Sequence, residues 1–220
     1  MTDFLVRTLS PERWETYAAL SAERGESAAS LYAKNLTYSK ELYVIIAGLE
    51  VSVRNSLHMS LSNHFGKRDW MSNLELLRKS HKDQINKAIE KLVQNKTKGY
   101  RIPDLISELN FGFWAHLVDA PYEQSLWTPA LRHCFKNKLG RPVRQDVEER
   151  LKTLLRFRNK IAHLEPIIRY EGQLIQTYQN AYDVMSWICP ETANWFDKQS
   201  NFKEVWKNNQ AFRESRKDKK

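Results

Sequence analysis

Apolar residues along this chain recur every three to four positions and seldom alternate, which is the spacing of helix faces and not of strands. The longest stripe runs Leu42, Ile45, Ile46, Leu49, Val53, Leu57 and Leu61. It predicts one helix over about 28–64, closed by Gly66. Ahead of it, Ser10-Pro11-Glu12 offers an N-cap hydroxyl and then proline at the first helical position. Trp14, Tyr17 and Ala18 follow at helical spacing until Gly25 breaks the run. Residues 74–94 predict a more charged helix with Ile85, Ala88, Ile89, Leu92 and Val93 on its apolar side. Lys91 to Arg101 is basic, and Gly99 makes its later part a loop.

Downstream the pattern continues. Pro103-Asp104 opens a short helix through Leu105, Ile106 and Leu109 towards Trp114. Another, near 122–136, carries Leu126, Trp127, Leu131 and Phe135. The next begins near Pro142 and runs to about His163, because Pro166 pushes its predecessor out of helical geometry. Its stripe is Val143, Val147, Leu151, Leu154, Leu155, Ile161 and Ala162. A short extended turn is expected over Tyr170 to Leu174, around Gly172. Leu174, Tyr178, Ala181, Tyr182, Met185 and Ile188 then describe a final core helix, stopped by Pro190. The expected architecture is one all-α helical domain over 1–199, with a basic charged C-terminal tail over 200–220.

Composition narrows the chemistry. The 220 residues include only 7 Gly, against 25 Phe, Trp and Tyr, so glycine-rich phosphate loops and dinucleotide fingerprints have no material to build on. The net charge of +9 suggests a polyanionic partner, but residues 203–220 supply four of those charges. Cys134 and Cys189 lie too far apart for a Cys-x-x-Cys motif and read as buried thiols of a reducing compartment. The longest apolar run, Tyr43 to Leu49, is far short of the roughly 20 residues of a membrane span. No leader is visible at Met1, so a cytoplasmic location with no membrane association is expected. The six histidines show no metal-ligand spacing, and no cofactor is expected.

The informative segment is Leu154 to Pro166. On an ideal helix at about 100° per residue, Arg158 falls about 20° from Leu151, in mid-stripe. An arginine there needs a carboxylate partner such as Glu50, or it faces a ligand or a second chain. Asn159 and His163 are i,i+4 neighbours on the adjoining edge, so the three side chains are expected to form one polar corner. A histidine at a helix C-terminus meets the negative end of the dipole and suits proton transfer. The forked guanidinium of Arg158 suits phosphate oxygens. Alternatively, Arg158 is simply ion-paired and His163 is a helix cap. Glu50 and Arg54, at i,i+4 beside Asn55, form a second polar set bordering the stripe of the long helix.

At these residues the sequence resembles the Abi-like proteins (abortive infection, AbiD/AbiF-type), a branch of the HEPN superfamily. Arg158-Asn159-Lys160-Ile161-Ala162-His163 is similar to the HEPN Arg-x(4–6)-His motif, and His163-Leu164-Glu165-Pro166 to that branch's His-x-Glu-Pro. Leu49-Glu50-Val51 to Arg54-Asn55 resembles its Leu-Glu-x-x-x-Arg-Asn segment. Ile106 to Trp114, with Leu126-Trp127, resembles its Glu-Leu-x-Phe-Gly-Phe-Trp block, with Asn110 where serine is commoner. The resemblance spans roughly 10–190 and implies a HEPN-like helical bundle with extra peripheral helices, forming a homodimer that brings two Arg-x(4)-His motifs together in a composite cleft at its interface. It also implies a metal-independent endoribonuclease of the toxin type in phage defence, with RNA as substrate and an RNA or protein antitoxin as partner. His163 would move protons, Arg158 would stabilise the phosphorane and Asn159 would orient one of them, buttressed by Glu50, Arg54 and Asn55. Arg156 and Lys160 would add RNA-binding charge. The rival reading is an RNA-binding protein without turnover, in which Tyr100 and Trp114 stack bases beside Lys96, Lys98 and Arg101.

Overall fold

Ser27 opens the central element of the molecule: its hydroxyl accepts the Ser30 N–H at 3.2 Å, and 38 residues of helix follow without a break. The computed structural model describes residues 3–72, 74–95 and 99–217. Among these the chain is helical throughout, with no strand. Helix α1 (Asp3–Leu9) and α2 (Pro11–Arg24) precede α3 (Ala28–Phe65), which ends at Gly66 in the left-handed conformation (φ 66°). Then come α4 (Lys79–Asn95), α5 (Ile102–Glu108), α6 (Phe111–His116), α7 (Arg144–Ala162), α8 (Glu171–Ile188), α9 (Pro190–Gln199) and α10 (Phe202–Lys217).

Helix α3 spans about 57 Å and is the axis around which α2, α6, α7, α8, α9 and α10 pack. Every member of its predicted stripe, from Leu42 to Leu61, is fully buried. Gly48 sits where α9 crosses: a Cβ there would lie 2.6 Å from the Phe196 ring, so only glycine lets the two helices approach this closely.

Four local expectations are revised. The helix expected from Pro103 towards Trp114 is two, because Asn110 adopts extended geometry and its Oδ1 accepts the Phe113 N–H at 3.0 Å, capping α6. The segment near 122–136 is not one helix. It comprises a π turn at Glu123–Trp127 and a 3-10 turn at Leu131–Phe135, separated at Pro129, which has no N–H to donate and clashes with a helical carbonyl. Leu126, Trp127, Leu131 and Phe135 are buried all the same. The extended turn at 170–174 is absent, since a 3-10 turn at Ile167–Tyr170 leads directly into α8. Glu171, buried at the start of α8, is held there by Arg24 at 2.8 Å and by the Tyr38 hydroxyl at 3.2 Å.

The fourth revision concerns the basic tail. Most of the 200–220 segment is α10, whose Phe202 is fully buried, so the boundary at 199/200 does not separate domain from tail. Cys134 is buried as expected, whereas Cys189 is half-exposed at the start of α9.

Candidate functional site

Helix α7 begins at Arg144, not Pro142, and its buried side is Val147, Leu151, Leu154, Phe157 and Ile161. Ala162, placed on the stripe from sequence, is exposed, as is Val143. The true buried arc is therefore rotated towards Phe157, and Arg158 lies within it. Its Nε donates to Glu50 Oε2 of α3 at 3.1 Å, both side chains being about a quarter to a third exposed (32% and 22%). This is the carboxylate partner that a core-facing arginine demands. Arg54 contributes nothing to that pair. Its Nε makes a long 3.4 Å contact with Asn55 Oδ1.

The end of α7 is an αL-type cap. The Leu164 N–H bonds Ile161 O at 3.0 Å and the Glu165 N–H bonds Lys160 O at 2.8 Å, with Leu164 at φ +56° where glycine is usual. Arg13 of α2 holds the Leu164 carbonyl through Nη1 at 3.1 Å. His163 is the capping residue and is exposed. At about 100° per residue, Arg158 and His163 project about 140° apart around the helix. The single polar corner expected from sequence is thus divided: Arg158 turns to α3, while Asn159 and His163 lie on the outer face.

That outer face borders an open cleft of about 410 Å³ between α6 and α7, lined by His116, Lys152, Leu155, Arg156, Asn159, Lys160 and Glu165. His116 Nδ1 lies 3.0 Å from Asp119 Oδ2. Asp119 Oδ1 faces the Lys152 ammonium at 3.2 Å, an ion-pair contact outside hydrogen-bond geometry. Lys160 reaches Glu165 Oε2 at 2.7 Å and lies over the Tyr170 ring, and its bond to Glu165 raises its pKa. Arg156 is exposed and has no carboxylate partner among the described residues. His116 and Asp119 escaped sequence reading. The signal was there, a His-x-x-Asp spacing at the end of a short helix, but no motif drew attention to it.

The other candidates separate. Arg54 and Asn55 line a larger cleft of about 680 Å³ against α5, with His58 and Arg68, over apolar walls of Ile102 and Ile106. Arg101 pairs with Asp104 (3.6 Å) at the start of α5. Lys96 and Lys98 lie outside the described residues. Trp114 is fully buried, packed edge-on against Trp70 and Phe113 with its Nε1–H on Leu109 O, so it cannot stack on a base. Tyr100 is partly buried against the core.

Among the described residues, no group of three or more His, Cys, Asp or Glu converges to hold a metal ion. No helix among them is long and apolar enough to cross a membrane. No protein-family model matches the sequence, and neither curated proteins nor solved structures yield a match.

Proposed function

We propose that this chain is a metal-independent endoribonuclease of the abortive-infection type, acting on RNA in phage defence as a homodimer in the cytoplasm. The observation that carries the reading is an exposed histidine, His163, on a helix face shared with Lys152, Arg156 and Asn159. That arrangement pairs a proton-transfer group with the Arg156 guanidinium, which suits phosphate oxygens, while Lys152 is held by Glu148 at 2.5 Å and Asp119 at 3.2 Å. In this reading the ribose 2′-OH attacks the adjacent phosphate, leaving a 2′,3′-cyclic phosphate and a 5′-hydroxyl. The resemblance of the 49–55, 106–114 and 158–166 segments to Abi-like HEPN proteins supports the same chemistry.

The test is incubation of single-stranded RNA with the purified chain in EDTA, followed by identification of the product ends. Cyclic-phosphate ends are expected, with a loss of about 10²–10⁴-fold in rate for His163→Ala. Undiminished cleavage by His163→Ala sinks the proposal.

One observation favours a second reading, RNA binding without turnover under an RNA or protein antitoxin. The Arg158 guanidinium, expected to meet the phosphorane, is neutralised by Glu50. A gel shift with intact RNA and no cyclic-phosphate product would favour this alternative.

A further inference from the structure

Cleavage by a 2′-OH requires two proton transfers, one from the nucleophile and one to the departing 5′-oxygen. His163 can perform one of them. A second histidine, His116, lines the α6–α7 cleft whose α7 wall leads up to His163, and it is better organised. His116 ends α6, and its Nδ1 meets Asp119 Oδ2 at 3.0 Å. Asp119 is steadied in turn by the Lys152 ammonium at 3.2 Å from its other oxygen. A carboxylate on Nδ1–H fixes the tautomer that leaves the Nε2 lone pair free, which is the form a general base needs.

The rest of the face completes the set. On α7, Lys152, Arg156, Asn159 and His163 fall within about 60° of one another at 100° per residue. Lys152, Arg156 and Asn159 line the cleft with His116, and His163 follows on the same side one turn beyond Asn159. Arg158 projects away and is held by Glu50, whereas Arg156 has no carboxylate partner among the described residues. The guanidinium available to a phosphate on the histidine face is therefore Arg156.

We propose that the α6–α7 cleft is a two-histidine phosphodiester site, with His116 the general base, His163 the general acid and Arg156 the clamp on the phosphate. The inference rests on the ribonuclease reading above and deepens it. His116 Nε2 takes the 2′-OH proton as the 2′-O–P bond forms. The P–5′-O bond breaks, and His163 gives a proton to the leaving oxygen. No oxidant, reductant or co-reactant is consumed. Asp119 is a positioning residue: it acts on the RNA only through His116.

The two roles separate with a dinucleotide in two forms, one ordinary and one with sulfur in place of the leaving 5′-oxygen, because a thiolate departs without an acid. His116→Ala is expected to lose about 10²–10⁴-fold on both substrates. His163→Ala should lose a similar factor on the oxygen substrate and recover most of it on the sulfur one. Asp119→Asn should lower kcat with KM unchanged, and Asp119→Glu should restore part of the loss. His116 is partly exposed (41% of its side chain), so its variants should fold, which the thermal transition of each checks. A wild-type rate in His116→Ala, while the native chain cleaves RNA, overturns the two-histidine site and leaves the ribonuclease reading standing. Rescue of His116→Ala by the sulfur substrate would also overturn it, since His116 would then be the acid. Failure of the native chain to cleave either substrate overturns both readings.

Discussion

Leu164 holds a conformation that its side chain does not favour. Its φ of +56° lies in the left-handed region, where a Cβ costs about 1–2 kcal/mol and glycine nothing. Its side chain is 63% exposed and repays little of that by burial. Leu164→Gly should therefore stabilise the fold by about 0.5–1 kcal/mol, the larger freedom of glycine in the unfolded chain offsetting the rest. Urea unfolding at neutral pH checks this, and a midpoint shifted downwards would refute it. The strain belongs to the residue that fixes where His163 ends the helix, so the substitution should be repeated in the cleavage assay. At this scale the sequence was uneven. Arg158 was legible as an anomaly because a cation in an apolar stripe violates a strong rule, and its Glu50 partner was already among the options. His116 was not legible, because its meaning depends on Asp119 and on α7 closing over it.

At the scale of elements, α10 shows where composition misleads. The stretch from 203 carries seven Lys or Arg and reads as a solvated tail. Yet Phe202, at its first position, stacks on Tyr178 with centroids 4.8 Å apart at 9°, and on Trp206 beyond it. Glu41, buried on α3, receives the Asn201 N–H on Oε2 at 2.6 Å while its carbonyl accepts the Ser200 hydroxyl. A carboxylate at a helix N-terminus is favourable, so the chain is pinned as the helix starts. Phe202→Ala should cost about 3–5 kcal/mol, in line with other buried aromatics. Chemical denaturation measures it, and a loss below about 1 kcal/mol would mean that the helix is peripheral. Long periodic helices such as α3 and α8 were readable because their stripes are continuous. The 120–136 region was not, because its apolar residues fill the core from π and 3-10 turns that share no single period.

For the molecule as a whole, two neutral histidines tie the segments after α3 to the core and make stability depend on pH. The Trp70 Nε1–H donates to His58 Nδ1 at 3.1 Å, which requires a lone pair there, and His58 Nε2 faces the Ser62 hydroxyl at 3.4 Å. His81 lies between the Tyr122 hydroxyl, 3.0 Å from Nδ1, and the Phe113 carbonyl, 3.2 Å from Nε2. The same tyrosine oxygen accepts the Arg78 N–H, so its proton is directed at the imidazole. Burial lowers both histidine pKa values, aided at His58 by Arg68 and outweighing at His81 the bond to the Phe113 carbonyl, which raises it. The unfolded chain therefore binds more protons than the folded one as pH falls below about 6.5. Stability should be full above that point and decline from there towards the lower folded values. Glu12 and Glu191, lowered chiefly by backbone hydrogen bonds, act only in the more acidic carboxylate range. The net charge of +9 also grows on acidification, and its self-repulsion destabilises in the same direction. Salt separates the two causes, because it screens surface repulsion and leaves a buried donor–donor conflict intact. The urea midpoint should fall between about pH 7.5 and 5.5, and most of the fall should persist in roughly 0.5 M salt. His81→Gln, which cannot titrate, should flatten part of the slope whatever its own cost to stability. A midpoint constant over that range would refute the dependence, and a decline abolished by salt would assign it to surface charge instead.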